Sequence, residues 1–353
     1  MDVLRSCLQS VLFRLQQVIW TCMTVIGLVK NFLLYGSDCF TVKKHPKPKC
    51  LEGWDERYIQ LKTLRLHYVQ TGTDDQPLLL MLHGFPEFWY SWRFQLKHFA
   101  NKYRCIALDQ RGYNLSDKPV HTEDYHIDLL IGDVREVAEK LGYKKFILMG
   151  HDWGAAIAWK FALTYPELLE KLIILNVPHP NVLPALMATS KEQRLKSWYI
   201  FMFQTPRIPE LAVQSRDFHM FDLSFRGKKA GIRNKENFTD EDLEAWKHVF
   251  SQKDALTGPI NYYRNLGKRT PMKGEQSICK PPTLIVWGDQ DQFLVKEGAE
   301  MSLKYCQNAH LKFVEGASHW VMQDEPQKVN ELIEEFLSTP VHGNTKNEDL
   351  SKM

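Results

Sequence analysis

The sequence predicts an α/β fold: a mostly parallel sheet with helices on both faces and a helical insertion over one end. Three observations predict it. Short continuous apolar runs such as Leu78-Leu79-Leu80-Met81-Leu82 recur along the chain, as buried parallel strands do. Helical patterns separate the earlier runs, for example at 129–141. The alternation then stops between 179 and 278, in a helical segment rich in Trp, Tyr, Phe, Met and Gln, and resumes with an apolar run at 283–287. A segment that leaves and re-enters the alternation reads as a cap above the carboxyl ends of the strands, where ligands of such sheets sit.

The 353 residues exceed a typical single domain and fit one large domain carrying such a cap. The expected organisation is an anchor and linker at 1–52, the core at 53–178 and 279–337, the cap at 179–278, and a polar, frayed tail at 338–353. Apolar and charged content are ordinary for a globular protein, and a net charge of +3 gives no reason to invoke nucleic acid. The pairs Lys43-Lys44 and Lys144-Lys145 read as solvated faces. The seven cysteines are scattered, with no metal-ligand spacing and no dense disulfide framework. Cys105, inside an apolar run, reads as a small buried hydrophobe.

From Leu15 to Gly36 the only charged residue is Lys30. A stretch of about 20 mostly apolar residues is long enough to span a bilayer as a helix, and Lys30 near its end is placed to snorkel. A cleaved signal peptide is the rival, but its apolar region is shorter and ends in a small-x-small site, which is not evident here. An amphipathic interfacial helix is the third reading, supported by Arg5, Arg14 and Gln16-Gln17. The single-pass anchor is favoured. Lys43, Lys44, Lys47 and Lys49 after it outnumber Arg5, Arg14 and the amino terminus before it, a slight lean toward a cytosolic catalytic domain. Asn114-Leu115-Ser116 and Asn237-Phe238-Thr239 match the glycosylation pattern, which matters only on the lumenal side.

After a Lys- and Pro-bearing linker, Tyr58-Ile59-Gln60-Leu61 and Leu64 to Val69 alternate as antiparallel strands around Lys62-Thr63. The runs at 78–82, 105–108, 146–149, 172–175 and 283–287 are the core strands, with a last strand-like stretch at 311–314. The third of these runs breaks into Gly150-His151-Asp152-Trp153-Gly154 and then a helix. Small residues flank the apex, as a sharp strand-to-helix elbow requires. The apex residue is Asp152, where serine hydrolases carry Ser. A carboxylate there suits attack on an sp³ carbon bearing a leaving group, and the resulting ester is freed by water. Strained cyclic ethers and alkyl halides are the substrate classes that fit. Read alone, Asp152 is equally a helix N-cap.

The other motifs tilt the balance. His83-Gly84-Phe85-Pro86 follows the first core run, and the N–H groups of Phe85 and Trp153 would form an oxyanion hole. Trp287-Gly288-Asp289-Gln290-Asp291 follows the run at 283–287. A triad acid belongs there, with Asp291 preferred and Asp289 the alternative, although Asp after Gly is also a common turn residue. His319, in Gly316-Ala317-Ser318-His319-Trp320, completes the order nucleophile, acid, base that marks the α/β-hydrolase fold. His151 and His83 flank the site and read as packing or hydrogen-bonding groups. In the cap, Tyr199 and Tyr263 have hydroxyls suited to donate to a leaving alkoxide. By pattern alone they are ordinary aromatic core residues.

Taken together, His83 to Trp92, Gly150 to Gly154, Gly258-Pro259-Ile260-Asn261-Tyr262-Tyr263-Arg264-Asn265 and Ser318-His319-Trp320 resemble the α/β-hydrolase-fold epoxide hydrolases, in particular their short membrane-anchored branch. The resemblance runs from the anchor to about Leu337. It implies that Asp152 is the nucleophile, that His319 with Asp291 activates water, and that Tyr263 with Tyr199 donates to the epoxide oxygen. The aromatic cap, including Trp198, Phe201 and Phe203, favours an apolar epoxide. Attachment to a membrane, such as the endoplasmic reticulum, makes lipid epoxides a natural class, as the resemblance also implies, and the proposed chemistry needs no metal or organic cofactor. One departure is Arg111-Gly112-Tyr113-Asn114, where the family has Gly in the fourth position. Asn tolerates positive φ, so the turn is expected to survive. A haloalkane dehalogenase, which would hold halide with Trp153 and a second donor, and a membrane-anchored binding protein without turnover are the alternatives. The paired cap tyrosines argue against the first and the complete catalytic set against the second.

Overall fold

The computed structural model describes residues 2–266 and 273–340. The last part of the expected tail, from 341, and residues 267–272 of the expected cap lie outside the described residues.

Eight strands form one sheet in the order β1-β2-β4-β3-β5-β6-β7-β8. β1 (Asp55–Gln60) and β2 (Arg65–Thr71) form the expected antiparallel hairpin, and Leu61 N–H donates to Leu64 O at the turn between them. β2 also pairs antiparallel with β4 (Arg104–Leu108), and every other pairing is parallel. β3 (Leu78–Leu82), β4, β5 (Phe146–His151) and β7 (Thr283–Gly288) are buried along their whole length. This is why they appear as unbroken apolar runs rather than alternations. β6 (Leu169–Leu175) exposes one residue, and β8 (Ala309–Val314), at the sheet edge, exposes several.

The connecting helices cover both faces. α2 (Arg93–Phe99) packs with the C-terminal helix, while α3 (Ile127–Lys140) packs with α4 (Trp153–Thr164). Helix α4 is apolar apart from Lys160 and Thr164, as befits its burial against β3, β5 and β6.

Register positions the chemistry. Strand order reverses around β3, which lies between β4 and β5. Leu82 of β3 is opposite Gly150 of β5, so the loop after β3 and the elbow after β5 leave the sheet side by side. Gly288 of β7 is opposite Val314 of β8, so the loops carrying Asp291 and His319 emerge together.

Between β6 and β7 lie α5 (Val182–Thr189), α6 (Lys191–Lys196), α7 (Trp198–Met202), α8 (Ile208–Phe221), α9 (Asp240–Phe250) and α10 (Thr257–Arg264). Local signals start several of them. Ser190 caps α6 by accepting from Gln193 N–H, and Thr239 with Asp242 forms a reciprocal capping box on α9. Helix α11 (Glu297–Ser302) precedes β8, and α12 (Val321–Asp324) and α13 (Pro326–Ser338) close the chain over the sheet.

At the N-terminus α1 is a single helix, Asp2–Tyr35. It is the one helix among the described residues long and apolar enough to cross a membrane. It lies along the cap, against α7 and α8.

Candidate active site

Asp152 sits between β5 and α4 with φ 48° and ψ −120°. A positive φ at a non-glycine residue is held only when its surroundings over-determine it. Here they do. A Cβ on Gly150 would lie 2.4 Å from Gly154 O, and one on Gly154 would lie 2.0 Å from Leu82 O. Both neighbours must therefore be glycine for the elbow to pack against β3. Asp152 occupies the N-cap position of α4, yet its side chain makes no capping bond. The carboxylate turns instead into a cavity, and its Oδ1 accepts from Phe85 N–H at 2.8 Å. Close approach of the β3 loop makes this bond possible, since a Cβ on Gly84 would lie 2.3 Å from Asp152 Cβ. Trp153, whose N–H is the other expected oxyanion donor, opens α4 directly beside it.

Across the cavity, His319 Nε2 stands 3.5 Å from Asp152 Oδ2, and its Nδ1 is 2.6 Å from Asp291 Oδ2. Asp291 is saturated with donors: Phe293 and Leu294 N–H reach Oδ1 at 2.7 and 2.9 Å, and Asn176 Nδ2 reaches Oδ2 at 2.8 Å. Asp289, the alternative acid, accepts from Gly316 N–H instead and ties down the loop before His319.

The electrostatics follow from this geometry. Burial disfavours a charged His319, but the Asp291 and Asp152 carboxylates on either side outweigh it and push its pKa up to about 10. Burial likewise opposes the charge on Asp291 and Asp152, yet both stay below their usual carboxylate range, with His319 the principal cause. This geometry favours an imidazolium held between two carboxylates in the resting site.

The cap supplies the opposite wall. Tyr199 on α7 and Tyr263 on α10 have ring centroids 5.8 Å apart. Both phenols are pushed well above the ordinary tyrosine range, by burial first and then by the charge on Asp152, so both stay protonated. Tyr263 is further boxed in by the rings of Phe85, Phe203 and Trp153 at 4.8–5.5 Å. Asp152, Tyr199, Tyr263, His319 and Phe85 all line one largely apolar cavity of about 240 Å³.

Sequence reasoning anticipated the hydrogen-bonding roles of His151 and His83 but missed Glu87, Gln323 and Asn176. Glu87, fully buried, accepts from Gly84 N–H at 2.8 Å and from Gln323 Nε2 at 3.1 Å, and faces His151 Nδ1 at 2.6 Å. His151 Nε2 in turn is 2.8 Å from His319 O, which fixes the backbone of the base loop. His83 likewise bonds backbone rather than entering the cavity. Asn176 joins the acid to the sheet, since its Oδ1 accepts from Gly288 N–H at 3.2 Å. The only signal for it was a polar residue directly after an apolar run. The Asn114 turn survives as expected, with φ 42° and Nδ2 bonded to Asp109 Oδ2 at 2.7 Å. Buried in this way, Asn114 is closed to glycosylation in the folded protein.

Sheet order, elbow and residue constellation define an α/β hydrolase, and the sequence pattern of the alpha/beta hydrolase fold family matches residues 77–326. Within that class the chain belongs to the epoxide hydrolases. It is 52% identical over 332 residues to Epoxide hydrolase 1 of Caenorhabditis elegans, covering 94% of this chain and 82% of that one. It is 45% identical over 302 residues to Epoxide hydrolase 4 of Homo sapiens, covering 84% and 83%. The solved structure of the Bacillus megaterium epoxide hydrolase in complex with an inhibitor superposes with a TM-score of 0.74. There the identity is 34%, with coverage of 80% of this chain and 100% of that one.

Proposed function

We propose that this epoxide hydrolase opens an apolar epoxide to a vicinal diol through an ester on Asp152. The observation that carries the reading is a carboxylate at the elbow, backed by His319 and Asp291, facing two protonated phenols across one apolar cavity.

In the first half-reaction an Asp152 oxygen attacks an epoxide carbon, the carbon–oxygen bond breaks, and the oxygen takes a proton from Tyr263 while Tyr199 donates a hydrogen bond. Esterification removes the negative charge of Asp152, one of the two anions that hold the proton on His319. His319 then gives up that proton, and the tyrosinate regains one. Neutral His319, oriented by Asp291, next takes a proton from water, whose oxygen adds to the Asp152 carbonyl. The N–H groups of Phe85 and Trp153 face the developing oxyanion. Collapse expels the diol oxygen, which takes the proton back from His319, and the freed Asp152 carboxyl then passes its own proton to His319, restoring the resting charges.

The cavity wall, with Phe85, Met202, Phe203, Met220 and Phe293, suits an apolar substrate, and attachment to a membrane makes lipid epoxides a natural class. The length and apolar character of α1 support attachment of the enzyme to a lipid bilayer, either as a single-pass span or as a helix lying in the interface.

The test is intact-protein mass spectrometry of His319→Gln with a panel of lipid and styrene-type epoxides. The expected result is a covalent adduct of full substrate mass on Asp152, accumulating after one turnover. Normal multiple turnover by His319→Gln would remove His319 as the base. An adduct formed only from haloalkanes, and lacking the halogen, would move the activity to dehalogenation.

A further inference from the structure

The N-terminal helix is docked the wrong way round for water. Its packed positions are Gln17, Trp20 with Thr21 beside it, Thr24, Leu28 and Asn31, recurring every three or four residues, so they form one face. That face is mostly polar. Thr21 Oγ1 and Thr205 Oγ1 share a hydrogen bond at 2.7 Å, and Asn31 Nδ2 donates to Ser215 Oγ at 3.1 Å. The opposite face carries Leu15, Ile19, Ile26, Val29 and Leu33, all exposed, Leu33 by 77%. A helix that turns its polar side to the protein and its apolar side outward needs an apolar phase outside.

The docking is extensive. It begins at Phe13, whose ring lies 5.1 Å from that of Phe201, and ends at Tyr35, under the guanidinium of Arg216 at 4.6 Å. At about 1.5 Å per residue those contacts cover ~33 Å, the thickness of a bilayer core. Docking also coincides with backbone strain. Arg216, Asp217 and Phe218 of α8 all have positive φ, next to the Ser215 that bonds Asn31. Asp217 accepts from Lys43 N–H and from His45 in the segment after α1. Three consecutive left-handed residues persist only where the surroundings hold them. A helix standing across a bilayer would leave these bonds or drag the charged cap helices into hydrocarbon.

We infer that α1 lies in the plane of a membrane surface, its outward face sunk into the boundary between headgroups and acyl chains, and that it holds the mouth of the active-site cavity against that surface. Of the residues lining the cavity, the exposed ones are Trp198 (39%) and Leu223 (57%). The Trp198 ring lies 5.5 Å from Trp20 of α1. The rim of the cavity is thus continuous with the helix, and the apolar epoxide enters from the leaflet. Arg14 and Lys30 are placed to reach anionic headgroups. The entry route rests on the epoxide hydrolase reading above; the orientation of α1 does not.

Two measurements test it. The full-length chain with an N-terminal epitope is made in sealed microsomes and treated with protease. Expected is a protein that sediments with the membranes and whose epitope and catalytic domain are digested together or protected together. Opposite protection of the two, or failure to sediment, overturns the in-plane helix. Second, Ile26→Glu/Leu33→Glu is compared with the parent on vesicles of phosphatidylcholine and phosphatidylserine. The expected variant no longer binds vesicles, hydrolyses styrene oxide in buffer as the parent does, and loses turnover of a fatty-ester epoxide carried in the vesicles. Equal turnover of the vesicle-borne epoxide by both overturns leaflet entry. Absence of turnover on either epoxide by the parent would instead count against the hydrolase reading and leave the orientation result standing.

Discussion

At the residue scale the proposed mechanism turns on one proton that two anions hold and that is released when one of them disappears. Burial opposes the charge on Asp152, yet its pKa lies below the usual carboxylate value because His319, His151 and Phe85 N–H stabilise that charge. His319 must be neutral to activate water, and only esterification of Asp152 loosens its proton. The two half-reactions therefore respond differently to pH. As pH falls, alkylation continues while hydrolysis slows, so the fraction of ester-bound enzyme at steady state rises. Rapid-quench mass spectrometry across the acid limb measures this; a constant fraction would mean that one group controls both steps. In the proposed mechanism the phenols act on alkylation alone. Replacing both Tyr199 and Tyr263 by Phe is expected to slow single-turnover alkylation ~10²–10⁴-fold, the usual range for a lost general acid. Hydrolysis of preformed ester should be unchanged. Asp152, His319 and the acid position were legible because chemistry at an elbow and at strand ends demands those residue types in that order. Sequence order already favoured Asp291 over Asp289, and in the structure Asp291 meets His319 Nδ1 while Asp289 accepts from Gly316 N–H. Glu87 and Gln323 carry no pattern that separates a buried polar residue from a surface one. Their value comes from partners distant in sequence.

At the element scale the elbow is the least tolerant piece of backbone. Gly154→Ala places a methyl 2.0 Å from Leu82 O, where only movement of β3 or α4 relieves it. The expected cost is about 1–3 kcal/mol of stability. Activity should be lost as well, because the same shift breaks the 2.8 Å bond between Phe85 N–H and Asp152. Thermal unfolding and alkylation rate measure the two effects, and an active, fully stable variant would show that the close packing is dispensable. The strands were readable because total burial leaves an unbroken apolar signature, and α3 was readable from its period. Helix α1 was readable as apolar, but a hydropathy average hides which face is polar. The spacing of Gln17, Thr21, Thr24 and Asn31 carried that information, though not the partner it faces. The irregular stretch inside α8 was not legible, because only Asp217 of its three left-handed residues is of a type that tolerates that backbone, and Arg216 and Phe218 are not.

At the scale of the whole molecule the catalytic charges also bear on folding, since Asp291, His319 and Asp152 join loops from three strands. The pKa of His319 rises from 6.5 to about 10 on folding, so the folded state binds its proton more tightly than the unfolded chain. Its stabilisation is complete below pH 6.5 and is lost as pH rises through 10. Asp152 and Asp291 shift the other way. Their stabilisation is complete above their ordinary value of 3.8 and disappears as pH falls through their lowered values. The three groups together therefore support the fold most fully between about pH 4 and 6.5. In His319→Gln both carboxylates stay buried without their cation, so the variant should unfold at a lower temperature near neutrality. It should also lack the decline of unfolding temperature between pH 6.5 and 10 that the parent shows. Parallel curves for parent and variant over that window would mean that the imidazolium contributes nothing to the fold and that the resting site holds a neutral histidine.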